Sequence, residues 1–277
     1  MIQEITPHRF DNRYKADAPV SEDAFILHFR ERFLLLKTGG DEPELPRKKD
    51  LPLGTAATPA NFLFTLDGTP CFLVHDQLQE IPSEMEYREL SFFRTTTDRA
   101  LAWISITAYH LMNWYVQNRF CGKCGSATQH KPDERALLCP ECATVVYPKI
   151  APAIIVAVCC GDKLLLARNA NFPGRWYSLI AGYADIGESL EETVVREVKE
   201  EVGVDVWNIR YYSSQPWPLS GSMMVGFIAE ADAKQPIVVD EKEITEAAWF
   251  TRGNLPEHPP KLSISGEMIG KFEAGEW

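Results

Sequence analysis

Gly182–Val204 reads GYADIGESLEETVVREVKEEVGV, and its spacing predicts a strand end, a loop and a short helix. Ser189 followed by Glu192 forms a capping box at the helix start. Leu190, Val194, Val198 and Val202 recur every fourth residue and make one apolar face. Gly203 falls where a left-handed C-terminal cap belongs. At about 100° per residue, Glu197, Glu200 and Glu201 lie roughly −20°, −80° and +20° from Leu190. Glu201 therefore points between Leu190 and Val194, into the stripe that packs. A carboxylate on that stripe costs several kcal/mol unless something cationic meets it. Three acids at i, i+3 and i+4 make a set of hard oxygen ligands for Mg²⁺ or Mn²⁺. Arg196 stands one residue away and could orient one of them. The plainer alternative is a solvated acidic helix face.

The full spacing G-x5-E-x7-R-E-V-K-E-E-V-G-V is satisfied at every defined position, and in this the stretch resembles the Nudix hydrolases. The resemblance implies hydrolysis of a nucleoside diphosphate linked to a second group. It also implies that Glu197 and Glu201 are the main metal ligands, with Glu200 assisting as ligand or base. Spacing does not say which glutamate removes the proton.

Around this helix the chain reads as α/β. Ala151–Val158 is a buried strand by its unbroken β-branched run, with Lys163–Arg168 as its hairpin partner across Gly161-Asp162. Trp176–Ala181, Val204–Tyr212, Met223–Ala229 and Ala247–Phe250 read as further strands, and a second helix is expected near Ser265–Phe272. Together they predict an α/β/α sandwich with a mixed sheet over residues 149–277.

Upstream stands Cys121-x2-Cys124-x14-Cys139-x2-Cys142. Two CxxC knuckles at this separation place four thiolates tetrahedrally around Zn²⁺ in a closed structural site. The metal supplies folding energy that a module of about thirty residues lacks. This zinc ribbon is assigned to residues 119–148. A ribbon of this type also serves to bind nucleic acid or protein, but Lys131 and Arg135 are balanced by Asp133 and Glu134. A structural role is the better reading. Cys71, Cys159 and Cys160 lie in or near apolar strands and read as buried packing.

Residues 1–118 read as a β-rich domain with a linking helix. Ala24–Leu36 and Asn61–Leu73 carry strand-like content, Asp67-Gly68 marks a hairpin turn, and Gly39–Pro59 reads as loop. Asp98 caps a helix in which Leu101, Ile104, Ala108, Leu111 and Tyr115 follow helical spacing to about Gln117.

The chain has 277 residues, a net charge of −11, 45% hydrophobic and 24% charged residues. That is an ordinary folded composition, and the charge argues against non-specific attraction to nucleic acid or anionic membrane. The longest apolar run, Ala151–Cys160, is too short to span a bilayer. The start MIQEITPHRFDNRY lacks the apolar core of a secretory signal. A cytoplasmic protein with no membrane partner is expected.

Substrate choice has to come from outside the helix. Ser214-Gln215-Pro216-Trp217-Pro218-Leu219-Ser220-Gly221-Ser222 places a tryptophan between two prolines. Read as a loop between strands, it fixes the indole at low entropic cost for stacking on a base or nicotinamide ring. Taken alone, Trp217 reads rather as a core residue. Zinc ribbon, glutamate helix and SQPWP in that order resemble the bacterial NAD(H) pyrophosphatases from about Arg119 to the C-terminus. The resemblance implies that Gln215, Pro216, Trp217, Pro218, Leu219, Ser220, Gly221 and Ser222 line a dinucleotide site. It departs from the family pattern at Leu219-Ser220, where that family continues Phe-Pro, and at Tyr183, where Phe is frequent. It further implies Glu243 as a distal metal ligand, with Glu241 and Glu246 as neighbouring candidates, and Ala181 offering a backbone carbonyl. Tyr183, Tyr147, Glu134, Ser265 and Arg88 are implied as further substrate contacts.

The implied reaction is hydrolysis of NADH or NAD⁺ to reduced or oxidised NMN plus AMP, and removal of NAD caps from RNA 5′ ends to leave a 5′-monophosphate. The implied assembly is a homodimer with pocket walls shared across the interface. Two alternatives stand beside it. One is a Nudix hydrolase of another substrate, such as ADP-ribose or a dinucleoside polyphosphate. The other is a non-catalytic ligand-sensing or nucleic-acid-binding protein built on the zinc ribbon.

Overall fold

The computed structural model describes residues 1–40, 42–52, 60–75, 78, 80–170, 176–239 and 242–277. Much of the expected Gly39–Pro59 loop, at 41 and 53–59, lies outside the described residues, as do Asp240 and Glu241. The chain forms two compact units, one of residues 2–149 with 218–220, the other of Met1, 150–217 and 221–277.

The first unit holds a six-stranded sheet in the order β1-β4-β5-β2-β3-β6. Its strands are β1 (Phe10–Asp11), β2 (Phe25–Arg30), β3 (Phe33–Lys37), β4 (Ala60–Leu66), β5 (Thr69–Val74) and β6 (Met85–Glu89). Only the β2–β5 pairing is parallel. The expected Ala24–Leu36 strand is in fact a hairpin, because Glu31 takes a positive φ of 52° and turns the chain. Asp67 and Gly68, at φ 50° and 79°, make the two-residue turn between β4 and β5. Helix α1 (Arg99–Gln117) begins at Asp98, whose carboxylate accepts from the Leu101 N–H at 2.9 Å. It packs on β2 and β4. A small sheet of β7 (Gln129–His130), β8 (Leu137–Leu138) and β9 (Val145–Val146) carries the cysteine knuckles.

The second unit is a mixed sheet in the order β13-β14-β10-β11-β15, with β12 also paired to β10. These strands are β10 (Ala151–Cys160), β11 (Lys163–Asn169), β12 (Ile180–Tyr183), β13 (Trp207–Trp217), β14 (Ser222–Glu230) and β15 (Ile244–Thr251). β10 runs parallel to β14 along its whole length and meets β12 and then β11 on its other edge. It is buried on both faces, which explains its unbroken apolar sequence. Ile154, Val156 and Val158 pack beneath helix α2 (Leu190–Val202) with Val194, Val198 and Val202. Ile155 and Ala157 pack on the opposite face beneath α3 (Ile264–Glu273) with Ile264, Met268 and Phe272. One helix on each face gives the expected α/β/α sandwich. Among the described residues, no helix is long and apolar enough to cross a membrane.

Two strands differ from expectation. The segment 176–179 stays outside β12 and joins β11 by an isolated bridge of Ser178 to Ala167. β13 extends through Trp217, so Ser214–Trp217 is strand rather than loop. β13 can absorb Pro216 because it is the edge of the sheet, where a missing N–H costs no ladder bond.

Candidate active site

Helix α2 begins as its sequence requires. Ser189 Oγ accepts from the Glu192 N–H at 3.2 Å, and Glu192 Oε2 accepts from the Ser189 N–H at 2.8 Å. It ends at Gly203, in the left-handed conformation at φ 74°. With Val194, Val198 and Val202 packed inward, Glu201 is drawn in with them and is 6% exposed. Its neighbour Glu200 is 61% exposed at the side chain.

Glu197 sits directly beneath β12. A Cβ on Gly182 would fall 1.9 Å from Glu197 Cδ, so only glycine admits the carboxylate there. Burial pushes Glu197 toward its protonated form, Arg196 opposes this, and the charges of Glu200 and Glu243 add to the upward push. Glu243, exposed just ahead of β15, thus acts on the same carboxylate.

Arg196 organises the cluster. Its Nε donates to Glu188 Oε1 at 2.6 Å and its Nη2 to Glu188 Oε2 at 2.9 Å. Nη1 donates to Glu197 Oε1 at 2.9 Å and to Glu200 Oε2 at 3.0 Å, and Nη2 also reaches the Tyr183 carbonyl at 3.0 Å. The bidentate guanidinium holds Glu188 down to about 2. Sequence reasoning assigns no individual role to Glu188 or Gly182. The signal for both was the G-x5-E start of the spacing, whose physical content is a seat for one carboxylate and an anchor for the arginine.

The other expected contacts are distributed differently. Tyr183 is 52% exposed on β12, beside Gly182 and Ala181. Trp217 and Pro216 are half-buried at the end of β13, Leu219 is half-buried, and Ser220 is exposed. Pro218 and Ser222 are buried, and Gly221 turns the chain at φ 70°. Gln215 is completely buried, with its amide bonded to the backbone of Leu262 and Ile264. Ser265 is 5% exposed, its hydroxyl bonded to Ser178 Oγ at 2.9 Å. In the first unit, Tyr147 donates to Glu134 Oε1 at 3.0 Å. Arg88, on β6, pairs with Glu86 and lies over the Phe92 ring. Glu246 pairs with Arg168 at 3.2 Å.

Cys121, Cys124, Cys139 and Cys142 place all four Sγ atoms within 4.8 Å of one another. Among the described residues they are the one such group of three or more. The knuckles are matched: the Gly125 N–H returns to the Cys121 carbonyl at 2.8 Å, and the Ala143 N–H to that of Cys139 at 3.0 Å. Sγ separations of 3.6 Å (Cys121–Cys142) and 3.4 Å (Cys124–Cys139) suit the tetrahedral edge of about 3.8 Å that Zn–S bonds of about 2.3 Å require. At the glutamate cluster, Arg196 Nη1 bridges Glu197 and Glu200 and supplies the positive charge between them.

Comparison with known proteins agrees with this anatomy. Residues 149–270 match the NUDIX domain, residues 117–147 the NADH pyrophosphatase zinc ribbon domain, and residues 23–114 the NADH pyrophosphatase-like rudimentary NUDIX domain. The NAD-capped RNA hydrolase NudC of Stutzerimonas stutzeri (strain A1501) is 39% identical over 251 residues, covering 90% of this chain and 89% of that protein. The NAD-capped RNA hydrolase NudC of Pseudomonas aeruginosa (strain LESB58) is 36% identical over 267 residues, covering 95% and 94%. Matched along nearly their whole length, with ribbon and glutamate helix in the same order, the chain belongs to the NudC family of Nudix hydrolases.

Proposed function

We propose that this protein hydrolyses the diphosphate bond of NAD(H), giving NMN(H) and AMP, and removes NAD caps from RNA 5′ ends. The observation that carries the reading is the seating of Glu197 under Gly182 beside the buried Glu201, with Arg196 bridging to Glu188. In the reaction a water oxygen forms a bond to one phosphorus, the bridging P–O bond breaks, and the leaving phosphate takes the bridging oxygen. Capped RNA differs only in that the AMP half continues as the chain, leaving a 5′-monophosphate.

The donor set fits a divalent cation. Glu197 carries the mutual repulsion of Glu200 and Glu243, which a dication relieves, and carboxylate oxygens are the ligands that Mg²⁺ and Mn²⁺ take. Glu197, Glu200, Glu201, Glu243 and the Ala181 carbonyl would hold it. When bound, such an ion neutralises the diphosphate oxygens and lowers the pKa of a bound water. Arg196 holds Glu197 at fixed height above the helix, and the exposed Glu200 is free to swing from the guanidinium toward substrate or to take the water proton. Tyr183 and Trp217 offer rings for stacking. Zinc in the four-cysteine site keeps the ribbon folded. The working form is a homodimer in the cytoplasm, in keeping with the family.

The test is incubation with NADH and with NAD-capped RNA in the presence of Mg²⁺ or Mn²⁺, products read by chromatography. ADP-ribose serves as competing substrate, since Leu219-Ser220 departs from the pattern at the pocket turn. Glu201→Gln should bind NADH yet lose at least about a hundredfold in kcat, about 2.7 kcal/mol. Wild-type rates in that variant, or preferential turnover of ADP-ribose, would overturn the reading.

A further inference from the structure

Gln215 lies in the strand expected to line the dinucleotide pocket, yet its side chain has no exposed surface. Both ends of its amide engage the segment leading into α3. Nε2 donates to the Leu262 carbonyl at 3.1 Å, and Oε1 accepts from the Ile264 N–H at 2.7 Å. The second bond satisfies an N–H in the first turn of α3, where no intrahelical acceptor exists. An amide brings both a donor and an acceptor. A carboxylate has no hydrogen for Leu262, and a thioether has neither function in useful strength.

The same segment is crowded on its other sides. A Cβ on Gly266 would lie 2.1 Å from the Pro260 carbonyl oxygen, and one on Gly226 of β14 would lie 2.9 Å from Ile264 Cδ1. Next to Ile264, Ser265 is tied to Ser178. The chain from Leu262 to Gly266 therefore has one seating on the sheet, and Gln215 is the polar group that fixes it along the strand direction. Side chains alternate across a strand, so Trp217 faces the same side as Gln215, about 7 Å further on.

We propose that Gln215 is a positioning residue for the dinucleotide: it holds Leu262–Ser265 at a set distance from the strand end carrying Trp217, and so fixes the width of the slot in which a nucleotide ring stacks. This rests on the reading of that strand end as the dinucleotide subsite, and it replaces the expectation that Gln215 touches the ligand. Its role is exerted through backbone, not through contact.

Gln215→Met and Gln215→Glu separate the possibilities in steady-state kinetics with NADH, joined to hydrogen exchange over residues 258–268. Q215M leaves two buried backbone groups without partners, and its KM for NADH should rise about tenfold while kcat falls less. Exchange at Leu262–Ser265 should accelerate, with α2 unchanged. Q215E sets a carboxylate against the Leu262 carbonyl in a site with no exposed surface, so its KM rise should be at least as large as that of Q215M. A wild-type KM in both variants despite faster exchange would overturn the proposal, since the amide would then only stabilise the fold. If neither folds, Gln215→Asn, neutral and polar but one methylene too short to span both bonds, decides by the same KM criterion. If the unaltered chain fails to hydrolyse NADH, the functional reading falls and this inference falls with it.

Discussion

Gly182→Ala is the perturbation for which function and stability should part most clearly. The added Cβ would stand 1.9 Å from Glu197 Cδ and 2.1 Å and 2.4 Å from its two oxygens. Ordinary carbon–carbon contact begins at about 3.5 Å, so the carboxylate must retreat by roughly 1.5 Å or more. It can do so cheaply, because the obstacle is the far end of a side chain with three rotatable bonds rather than backbone. The retreat breaks the 2.9 Å bond to Arg196 Nη1 and removes Glu197 from its seat. A 1 Å misplacement at a reacting centre costs on the order of a hundredfold, about 2.7 kcal/mol of barrier. The expected result is a melting temperature within a few degrees of wild type and a kcat for NADH at least about a hundredfold lower, with no rescue by raising NADH. Thermal unfolding and NMN(H) release are measured on the same sample. A variant that keeps more than a tenth of wild-type kcat refutes the claim that Gly182 exists to seat this carboxylate. A variant that unfolds refutes the claim that the carboxylate, not the strand, is what yields.

The remaining predictions concern pH, zinc and thiols. Arg196 holds the folded-state pKa of Glu188 at about 2 against an ordinary 4.5. A depressed carboxyl contributes stability that is present above about 4.5 and lost as pH falls from there toward 2, so the melting temperature of wild type should drop through that window. Glu188→Gln, which has no proton to gain, should narrow its gap to wild type as pH falls, and a constant gap would contradict the pairing. Stripping zinc with a chelator, or Cys121→Ser, should release residues 119–148 to fast hydrogen exchange, because metal binding is the folding free energy of such modules. Retained protection in the metal-free chain would refute this. Burial pushes the Cys71 and Cys159 thiols up to about 12. At pH 8 neither should be alkylated in the native, zinc-loaded protein, and rapid mass-spectrometric labelling of Cys71 would show that its strand opens.

Much of this is legible in the sequence, for a reason specific to each element. Helix α2 announces itself because cap, apolar period and stop all agree, and Glu201 breaks the period at the one place where chemistry outweighs packing. The knuckles are equally plain, since metal ligation fixes spacing directly. The burial of Gln215 is not legible, because its partners Leu262 and Ile264 lie nearly fifty residues away and no local pattern marks a bond to distant backbone. SQPWP reads as a loop because two prolines flank its tryptophan, but only Pro216 lies within β13. It is tolerated there because, among the described residues, β13 is the edge of the sheet, and strand order is not written in local sequence. The hairpin inside Ala24–Leu36 was hidden for a related reason: Glu31 takes a positive φ that a non-glycine residue rarely adopts.

The two units also show why one of them bears the chemistry. Residues 23–114 match a rudimentary NUDIX domain, and they too pack a helix, α1, on a sheet. But α1 buries twelve of its nineteen residues, Trp103, Tyr109, Trp114 and Tyr115 among them, and contains no aspartate or glutamate. Such a helix meets protein around most of its circumference, so a carboxylate on it would have neither water nor cation beside it. Helix α2 buries five of thirteen residues, and one of those five is Glu201. Its exposed flank leaves room for Glu200 and for Arg196 with its partner Glu188. Placing acids at α1 positions Ala108 and Met112 would therefore not create a second catalytic centre. They would stand buried with no Arg196–Glu188 pair to hold them, and each should cost the first unit stability on the order of several kcal/mol.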